Sequence, residues 1–188
     1  MSDPFDLQGP NPWRTLTRRV VFDNGRLRLH EHDVLQPDGE PGNYAYLEVP
    51  VPIVGIVPVD HQNHVYLVRQ WRYPWRRNSW EIPAGGGEND EAALDAAKRE
   101  LAEEVGLSAT DWEPLGQLYT SASIDGIWSL FLARGLEVTK THARDGAEHD
   151  LVAQRFPVAL AVDAAMDGRI AHGMSVVGLL RAARRLGI

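Results

Sequence analysis

The pattern of apolar and polar residues begins with short alternating segments. Thr15–Phe22 and Arg26–Leu35 have the residue types of strands, and Asp23-Asn24-Gly25 between them is a strong hairpin signal. Pro37-Asp38-Gly39 turns the chain again, and Asn43–Val49 alternates as a third strand. These segments predict a small antiparallel sheet near the amino terminus.

Apolar runs and helical patterns follow. Strands are predicted at four apolar segments, with a turn at 60–63 between the first two, and helices at two later segments. These strands are Val51–Val59, His64–Gln70, Trp112–Tyr119 and Trp128–Arg134, and the helices are Pro157–Asp167 and Met174–Leu186. This part of the chain is therefore predicted to contain both strands and helices.

The strongest helical pattern lies between Gly85 and Leu107. Asn89 or Asp90 has the side chain of an N-cap, and Gly106 suits the left-handed conformation in which helices end. A stripe of apolar residues at helical spacing predicts the buried face, and its members are Leu94, Ala97, Leu101 and Val105.

Three carboxylates share another face of this predicted helix. Glu100, Glu103 and Glu104 stand at i, i+3 and i+4, where like charges cost about 0.2–0.5 kcal/mol per pair. The helix dipole also disfavours anions in the last turn. A solvated acidic face is the ordinary interpretation of such a run. A bound cation is the alternative, and hard oxygen ligands suit Mg²⁺, with Mn²⁺ also possible.

The composition narrows the functional classes. The 188 residues are 44% hydrophobic and 24% charged, as in globular proteins, and they include no cysteine. The lack of thiols fits a cytoplasmic location. No apolar run approaches the ~18 residues of a membrane span, and residues 1–12 lack the features of a secretory signal. The net charge of −7 argues against a nucleic-acid partner.

The spacing of glycines and acids in this helix resembles the Nudix box. Five residues separate Gly85 from Glu91, and seven more separate Glu91 from Arg99-Glu100-Leu101. Glu103-Glu104 and Gly106-Leu107 complete nine matching positions. The resemblance implies a Nudix hydrolase, an α/β/α sandwich that uses divalent metal to cleave a nucleoside diphosphate linked to another moiety. It therefore favours the bound cation over the solvated face.

The same resemblance assigns roles to the box residues. It implies that Glu100, Glu104 and often Glu103 bind the metal, and that the carbonyl of Ala84 adds a ligand. Arg99 would orient the glutamates, although its spacing also allows ordinary ion pairs with Asp95 and Glu103.

Two segments before the box indicate which branch of the family the chain resembles. Arg69-Gln70-Trp71-Arg72 and Glu81-Ile82-Pro83-Ala84-Gly85 are similar to segments of the ADP-ribose and nucleoside-diphosphate-sugar pyrophosphatase branch. The likeness implies that Arg72 holds the substrate diphosphate and that Glu81 lies near the substrate or a metal-bound water. A surface arginine is the alternative for Arg72. The loop at 120–126 lacks the proline and glycine of the Ser-Pro-Gly that many ADP-ribose pyrophosphatases carry there, so other nucleotide sugars stay open.

The polar segment at 140–150, KTHARDGAEHD, is long enough to form a lid. In the same branch a glutamate before the next strand serves as the general base or as an extra metal ligand. Glu148 matches best, followed by Asp150 and then His149. A box glutamate, Glu103 or Glu104, is the further candidate for the base, and a merely solvated acidic loop is the alternative interpretation.

The remaining candidates for binding residues are aromatic residues and a pair of histidines. Trp13, Tyr44 and Trp71 could stack on the substrate base, but they could equally belong to the core or a dimer surface. His30 and His32 share one face of a strand, and without a third ligand nearby a solvated pair is favoured over a metal site.

Together these inferences predict a Nudix α/β/α sandwich with a small amino-terminal antiparallel β-sheet. Residues 1–49 would form the tail and small sheet, a dimerisation element, and 50–188 the hydrolase domain. The expected activity is metal-dependent hydrolysis of ADP-ribose or a nucleotide sugar to a nucleoside monophosphate and a sugar phosphate. The branch implies a homodimer. The alternatives are a non-catalytic Nudix-fold nucleotide sensor and an acidic helix that is purely structural.

Overall fold

The structure, a computed structural model, describes residues 5, 7, 9–88, 90–139 and 150–188. Contacts divide the chain into two compact units. The first unit is Met1–Pro50 with Ala122–Asp125, and the second is Val51–Ser121 with Gly126–Ile188.

The elements follow one another along the described chain as strands β1–β11 and helices α1–α3. They are β1 (Arg14–Asp23), β2 (Arg28–Leu35), β3 (Pro41–Glu48), β4 (Ile53–Pro58), β5 (His64–Arg72), a 3₁₀ turn (Tyr73–Trp75), β6 (Arg77–Glu81), β7 (Ala84–Gly86), α1 (Ala93–Val105), β8 (Leu107–Leu118), β9 (Ile124–Asp125), β10 (Trp128–Val138), β11 (Val152–Pro157), α2 (Val158–Met166) and α3 (Gly173–Leu186).

The first unit contains one sheet, with strand order β1-β2-β3-β9. Its first three strands pair antiparallel, as the turn signals predict, and the short β9 adds to β3 in parallel. Asp23 accepts a hydrogen bond from the N–H of Gly25, and Asn24 accepts from Arg26 and Leu27. These bonds explain why the Asp-Asn-Gly segment turns the chain.

The second unit contains two sheets. One has the order β7-β4-β10-β8, in which β4 and β10 pair in parallel and the outer strands pair antiparallel. The other has the order β11-β5-β6 and is antiparallel throughout. The parallel pair needs a long connection between its strands, and α1 lies within that connection.

Helices cover both faces of the β4–β10 pair. On one face, Val54 and Ile56 of β4 pack in a buried cluster with Ala97 and Leu101 of α1. On the other face, the next residue, Val57, belongs to a cluster that includes residues of both α2 and α3. Successive side chains of a strand point to opposite faces, so the same short strand serves both cores. This arrangement confirms the predicted α/β/α sandwich.

The approach of α3 to the sheet depends on small residues. A Cβ at Gly55 would lie 2.9 Å from atoms of Leu130 and Met174, and one at Gly178 would lie 3.0 Å from Ile82. Glycine at both positions lets the helix backbone lie close to β4. No described helix has the length and apolar character of a membrane span.

The prediction for the start of α1 is wrong. The N-cap position is Ala92, which makes no side-chain cap, while Asn89 lies outside the described residues and Asp90 has a positive φ of 64°. The carboxylate of Glu91 accepts a 2.8 Å hydrogen bond from the N–H of Glu88, and this contact fixes the chain ahead of the helix. The end of α1 is as predicted, since Gly106 has φ 73°.

The predicted apolar stripe of α1 is partly wrong. Ala97 and Leu101 are buried, but Leu94 and Val105 are only half-buried. Ala96, Glu100 and Glu104 are buried in their place. The buried face is therefore rotated towards the acids.

The predicted solvated histidine pair is also wrong. His30 stacks on Tyr46 with ring centroids 4.8 Å apart, and His32 contacts the same ring edge-on at 5.2 Å. Nε2 of His30 lies 2.6 Å from the carboxylate of Glu48. Both histidines are half-buried, because the broad tyrosine ring on β3 lies across them.

Several strand bounds differ from the predictions. β8 begins at Leu107, directly after the helix, and not at Trp112. The short strands β6, β7, β9 and β11 are absent from the sequence-based prediction. Strands of two to six residues hold too few alternating positions to be recognised by periodicity alone.

Candidate active site

The acidic face of α1 points into the protein. Glu100 is 5% exposed and Glu104 is 3% exposed, whereas Glu103 is half-buried. Two buried carboxylates on the second half of a helix need compensation by donors or cations, because burial removes their hydration. The surroundings of α1 supply several such groups.

The strand β7 lies directly against these acids. The backbone N–H of Ala84 donates a 2.9 Å hydrogen bond to the carboxylate of Glu104. At Gly85 a Cβ atom would overlap the carboxyl group of Glu100, so a residue with a side chain there would displace that carboxyl group. Glycine at the first box position thus lets Glu100 keep the place it has beside β7.

Arg99 ties the box together. Its guanidinium contacts Glu100 at 2.9 Å and Glu103 at 2.8 Å, and it donates a 2.9 Å hydrogen bond to the carbonyl of Gly86. Glu91 contacts the same guanidinium at 3.1 Å. The hydrogen bond with Glu91, followed by the charges of the other acids, raises the pKa of Arg99. The same bond holds the pKa of the Glu91 carboxyl below its usual range.

Arg99 does not form the ion pair with Asp95 that the helical spacing allowed. Asp95 pairs with Lys98 at 3.2 Å and not with Arg99. Glu91 takes that place, because the segment before the helix folds back over the Arg99 side chain. Arg99 thus contacts acids from both ends of the box.

The box acids do not surround a common point in this arrangement. Among the described residues, no group of three acidic or histidine side chains is positioned to hold a metal ion. Arg99 and the N–H of Ala84 hold the carboxylates instead. Carboxylate oxygens such as those of these glutamates are nevertheless the ligands that a hard divalent cation prefers.

A second group of charged residues lies around Glu81, at the start of the segment 81–86 that leads into the box. Arg72, at the end of β5, contacts Glu81, at the end of β6, through two hydrogen bonds of 3.0 Å and 2.7 Å. Glu81 is 1% exposed, while the Arg72 side chain is 35% exposed. Burial alone would raise the pKa of Glu81, but the bonds from Arg72 and the nearby His172 outweigh it and hold that pKa below its usual range.

His172 and Ser175 approach Glu81 from α3. Nδ1 of His172 lies 3.2 Å from the Glu81 carboxylate and 2.8 Å from Oγ of Ser175. That Oγ accepts a 2.9 Å hydrogen bond from the N–H of Ile82. Burial, together with the charge of Arg72, lowers the pKa of His172, although Glu81 opposes the shift.

Of the three candidates for the general base in the segment 140–150, the structure describes one. Glu148 and His149 lie outside the described residues. Asp150 is described, and its carboxylate accepts a 3.0 Å hydrogen bond from the backbone N–H of Trp71. This bond ties Asp150 to the end of β5, next to Arg72.

The three aromatic candidates fall in different units. Trp13 and Tyr44 belong to the first unit, where their rings meet edge-on with centroids 5.5 Å apart. The hydroxyl of Tyr44 donates to the carbonyl of Ala122 at 3.1 Å. Trp71 belongs to the second unit and is 49% exposed.

Sequence reasoning missed His172, Ser175 and Trp75 at this site. The ring of Trp75, in the 3₁₀ turn, lies 5.9 Å from the ring of His172. A single histidine ahead of the last helix carries no spacing signal that relates it to Glu81. Only the packing of α3 against the sheet brings them together.

Comparison with known proteins places this site in a family. A family model described as the NUDIX domain matches residues 49–173. The ADP-ribose pyrophosphatase of Mycobacterium tuberculosis is 33% identical over 132 residues, which are 68% of this chain and 62% of the relative. The enzyme of the same name from Bacillus subtilis is 32% identical over 66% of this chain and 68% of its own length. The chain thus spans about two thirds of these relatives.

A solved structure shares the fold. The crystal structure of an ADP compounds hydrolase superposes with a TM-score of 0.83 and 21% identity, over 96% of this chain and 97% of that one. The nine box positions, the sandwich and the matched family model lead to one conclusion. The chain belongs to the Nudix family.

Proposed function

We propose that this protein hydrolyses the diphosphate bond of ADP-ribose or a related nucleoside diphosphate sugar with the help of a divalent cation. The observation that carries the proposal is the arrangement around residues 81–86. This segment contacts the buried acids of α1 at one end and bears the Arg72–Glu81 pair at the other. The proposed cation site and the partner of the proposed phosphate-binding arginine therefore lie on one short stretch of chain.

The cation would be held by oxygen ligands of the box. Glu100, Glu103 and Glu104 with the carbonyl of Ala84 form the proposed set, and Mg²⁺ is the cation that such ligands favour, with Mn²⁺ also suitable. The burial of Glu100 and Glu104 supports this assignment, since a cation would offset their desolvation. When bound, a divalent cation supplies charge neutralisation at the phosphates and lowers the pKa of a coordinated water.

The residues of the chain would do the remaining work. Arg72 would bind the diphosphate, whose oxygens match the guanidinium fork, and Glu81 keeps that guanidinium in place. Arg99 orients Glu100 and Glu103 through its direct contacts. Glu148 is proposed as the base that takes the proton of the attacking water, with Glu103 or Glu104 as the alternative.

The names of the relatives support ADP-ribose as the substrate. Two relatives that are about a third identical over the matched segments are ADP-ribose pyrophosphatases. Water would attack one phosphorus of the diphosphate and break the bond from that phosphorus to the bridging oxygen. The products would be AMP and ribose 5-phosphate. Trp71, exposed beside Arg72, is the proposed platform for a base or sugar, and Trp13 and Tyr44 are proposed as a second aromatic surface.

A homodimer formed through residues 1–49 is part of the proposal. Every residue of β1 is exposed, and apolar side chains lie on that strand and beside it. They are Trp13, Leu16, Val20, Val21, Phe22 and Leu27. An exposed apolar surface of this kind is typical of an interface. We also propose a cytoplasmic location, from the absence of cysteine, and no nucleic-acid partner, from the net charge of −7.

A substrate screen tests the proposal. ADP-ribose, GDP-mannose, UDP-glucose, CDP-sugars, ADP-sugars and NADH are incubated with Mg²⁺, and nucleoside monophosphate is measured by chromatography. We expect ADP-ribose to be cleaved fastest, and activity to disappear with a chelator and return with added Mg²⁺. Binding without turnover of any compound would contradict the proposal and favour a non-catalytic nucleotide sensor.

A further inference from the structure

One group of polar residues beside the site has no role in the function proposed above. His172 occupies the N-cap position of α3, and Ser175 lies one turn further along. Ser175 is completely buried, and its Oγ joins the backbone of Ile82 to Nδ1 of His172. The same Nδ1 reaches the carboxylate of Glu81 at 3.2 Å. The helix is thereby connected to the residue that pairs with Arg72.

The chemistry of these contacts favours a hydrogen on Nδ1 of the imidazole. An ionised carboxylate only accepts hydrogen bonds, so an unprotonated Nδ1 would direct its lone pair at Glu81. A ring with its hydrogen on Nδ1 can donate to Oγ of Ser175 at 2.8 Å and also turns a positive N–H towards the Glu81 carboxylate, 3.2 Å away. The same hydrogen is present on the charged ring. Oγ of Ser175 is held by the hydrogen bond that it accepts from the N–H of Ile82, and its contact with Nδ1 helps to position the ring.

The Glu81 carboxylate is thus held from two sides. Arg72 donates to both of its oxygens, and His172 approaches one of them, Oε2, from α3. Hydrogen bonding between the Ser79 side chain and Glu81 adds to these contacts. The charged groups that face His172 are Glu81 on β6 and Arg72 on β5, and the centroid of the uncharged Trp75 ring lies 5.9 Å from that of His172.

We propose that His172 is a positioning residue for Arg72: it fixes the carboxylate of Glu81, which in turn fixes the guanidinium edge that Arg72 presents to an anionic substrate. The inference rests on the proposed function, in which Arg72 binds a diphosphate. Arg72 uses Nε and one terminal nitrogen on Glu81, so the direction of the whole planar group follows from the direction of that carboxylate.

The positioning of Arg72 by His172 should affect how tightly the substrate binds in the ground state. A long arginine side chain loses much rotamer freedom when it grips a ligand, and a residue that orders it beforehand reduces that loss. A loosened Arg72 should therefore weaken substrate binding and leave the chemical step nearly unchanged. A histidine that only packed between Trp75 and α3 would instead affect stability without affecting KM.

Two substitutions separate these roles. His172→Phe keeps the ring volume beside Trp75 and removes the donor, whereas His172→Asn places an amide donor where Nδ1 lies. We expect His172→Phe to raise KM for ADP-ribose roughly tenfold, the factor for about one lost hydrogen bond, with kcat within about twofold. His172→Asn should return KM to within about threefold of the parent value. His61→Asn, at an exposed histidine of the same unit, is the control and should change neither parameter.

A second measurement needs no substrate. The Nε–H resonance of Arg72, assigned by its disappearance in Arg72→Lys, reports the pair with Glu81 through its rate of exchange with water. We expect the exchange to be slow in the parent protein and in His172→Asn, and roughly tenfold faster in His172→Phe. Folding of each variant is checked by circular dichroism.

The outcomes distinguish the two proposals. Unchanged KM and unchanged Nε–H exchange in His172→Phe would overturn the positioning role, even with full hydrolytic activity. Faster exchange without turnover of any nucleotide sugar would support the positioning role and overturn the proposed hydrolysis. If His172→Phe does not fold, His172→Leu, which also lacks the donor, is measured in its place, and the same two outcomes decide.

Discussion

The backbone N–H of Ala84 donates a 2.9 Å hydrogen bond to the carboxylate of Glu104, which lies 20 residues further along the chain. This bond joins β7 to the last turn of α1, where the helix dipole disfavours a carboxylate. The donor from β7 offsets part of that cost.

The first prediction concerns Glu104. Glu104→Gln should lower kcat by at least ~10²-fold, because it removes a charged ligand of the catalytic cation. The amide oxygen can still accept from Ala84, and repulsion within α1 is reduced, so the melting temperature should stay the same or rise slightly. Steady-state kinetics and thermal unfolding measure both effects. Glu137→Gln, at an exposed glutamate of β10, is the control, and near-normal turnover in Glu104→Gln would remove Glu104 from the cation site.

The second prediction concerns the cation. Mg²⁺ should raise the melting temperature, because a ligand that binds only the folded state stabilises it by mass action. The increase should be smaller in Glu100→Gln, since Glu100 is one of the proposed ligands. Differential scanning fluorimetry at several Mg²⁺ concentrations measures the shift. An equal increase in both proteins would place the cation elsewhere.

The third prediction concerns Arg72. Arg72→Ala should mainly raise KM, because a guanidinium that holds the diphosphate binds ground state and transition state alike. A charge-assisted bond of this kind contributes ~1.5–3 kcal/mol, so the increase should be roughly ten- to 150-fold. Arg72→Lys should recover little, since lysine cannot contact Glu81 with two parallel bonds. A fall in kcat at unchanged KM would assign Arg72 to the chemical step instead.

The fourth prediction concerns the general base. Glu148→Gln should lower kcat by ~10²–10⁴-fold if Glu148 takes the proton of the water. Asp150→Asn should retain activity, because Asp150 already accepts a hydrogen bond from the N–H of Trp71. Initial rates over a range of pH measure the effects. Full activity in Glu148→Gln with a loss in Asp150→Asn would reverse the assignment, and full activity in both would leave Glu103 or Glu104 as the base.

The fifth prediction concerns the dependence of stability on pH. The pKa of His172 is lower in the folded protein than the ordinary ~6.5, so the unfolded chain binds more protons below that value. The free energy of unfolding should therefore fall as the pH falls through ~6.5 towards the folded pKa. Glu81 adds a further loss at lower pH, because its folded pKa is also depressed and its contribution disappears when it is protonated.

The measurement compares melting temperatures between pH 7.5 and 5.5. The decrease should be smaller in His172→Asn, which has no titrating group at this position, and unchanged in His61→Asn. Equal decreases in the parent protein and in His172→Asn would mean that other groups cause the acid destabilisation.

The sequence by itself determined the box and much of the local structure. Helical spacing places Arg99 next to Glu103 and brings Glu100 and Glu104 onto one face, whatever surrounds the helix. The hairpin at Asp23-Asn24-Gly25 and the end of α1 at Gly106 follow from turn and cap chemistry, which depends on a few adjacent residues. The sandwich was predicted from the resemblance of the box to the Nudix family.

Only the tertiary structure decided what these faces meet. The burial of Glu100 and Glu104, the late start of α1 at Ala93 and the fold-back of Glu91 onto Arg99 depend on where β7 and the segment before the helix lie. His172 joins Glu81 only because α3 packs closely on β4 at Gly55 and Gly178. Spacing along the chain governs contacts within a turn or a hairpin. Contacts between distant segments are set by how the sheet and helices exclude water, and a lone histidine or serine gives no local sign of them.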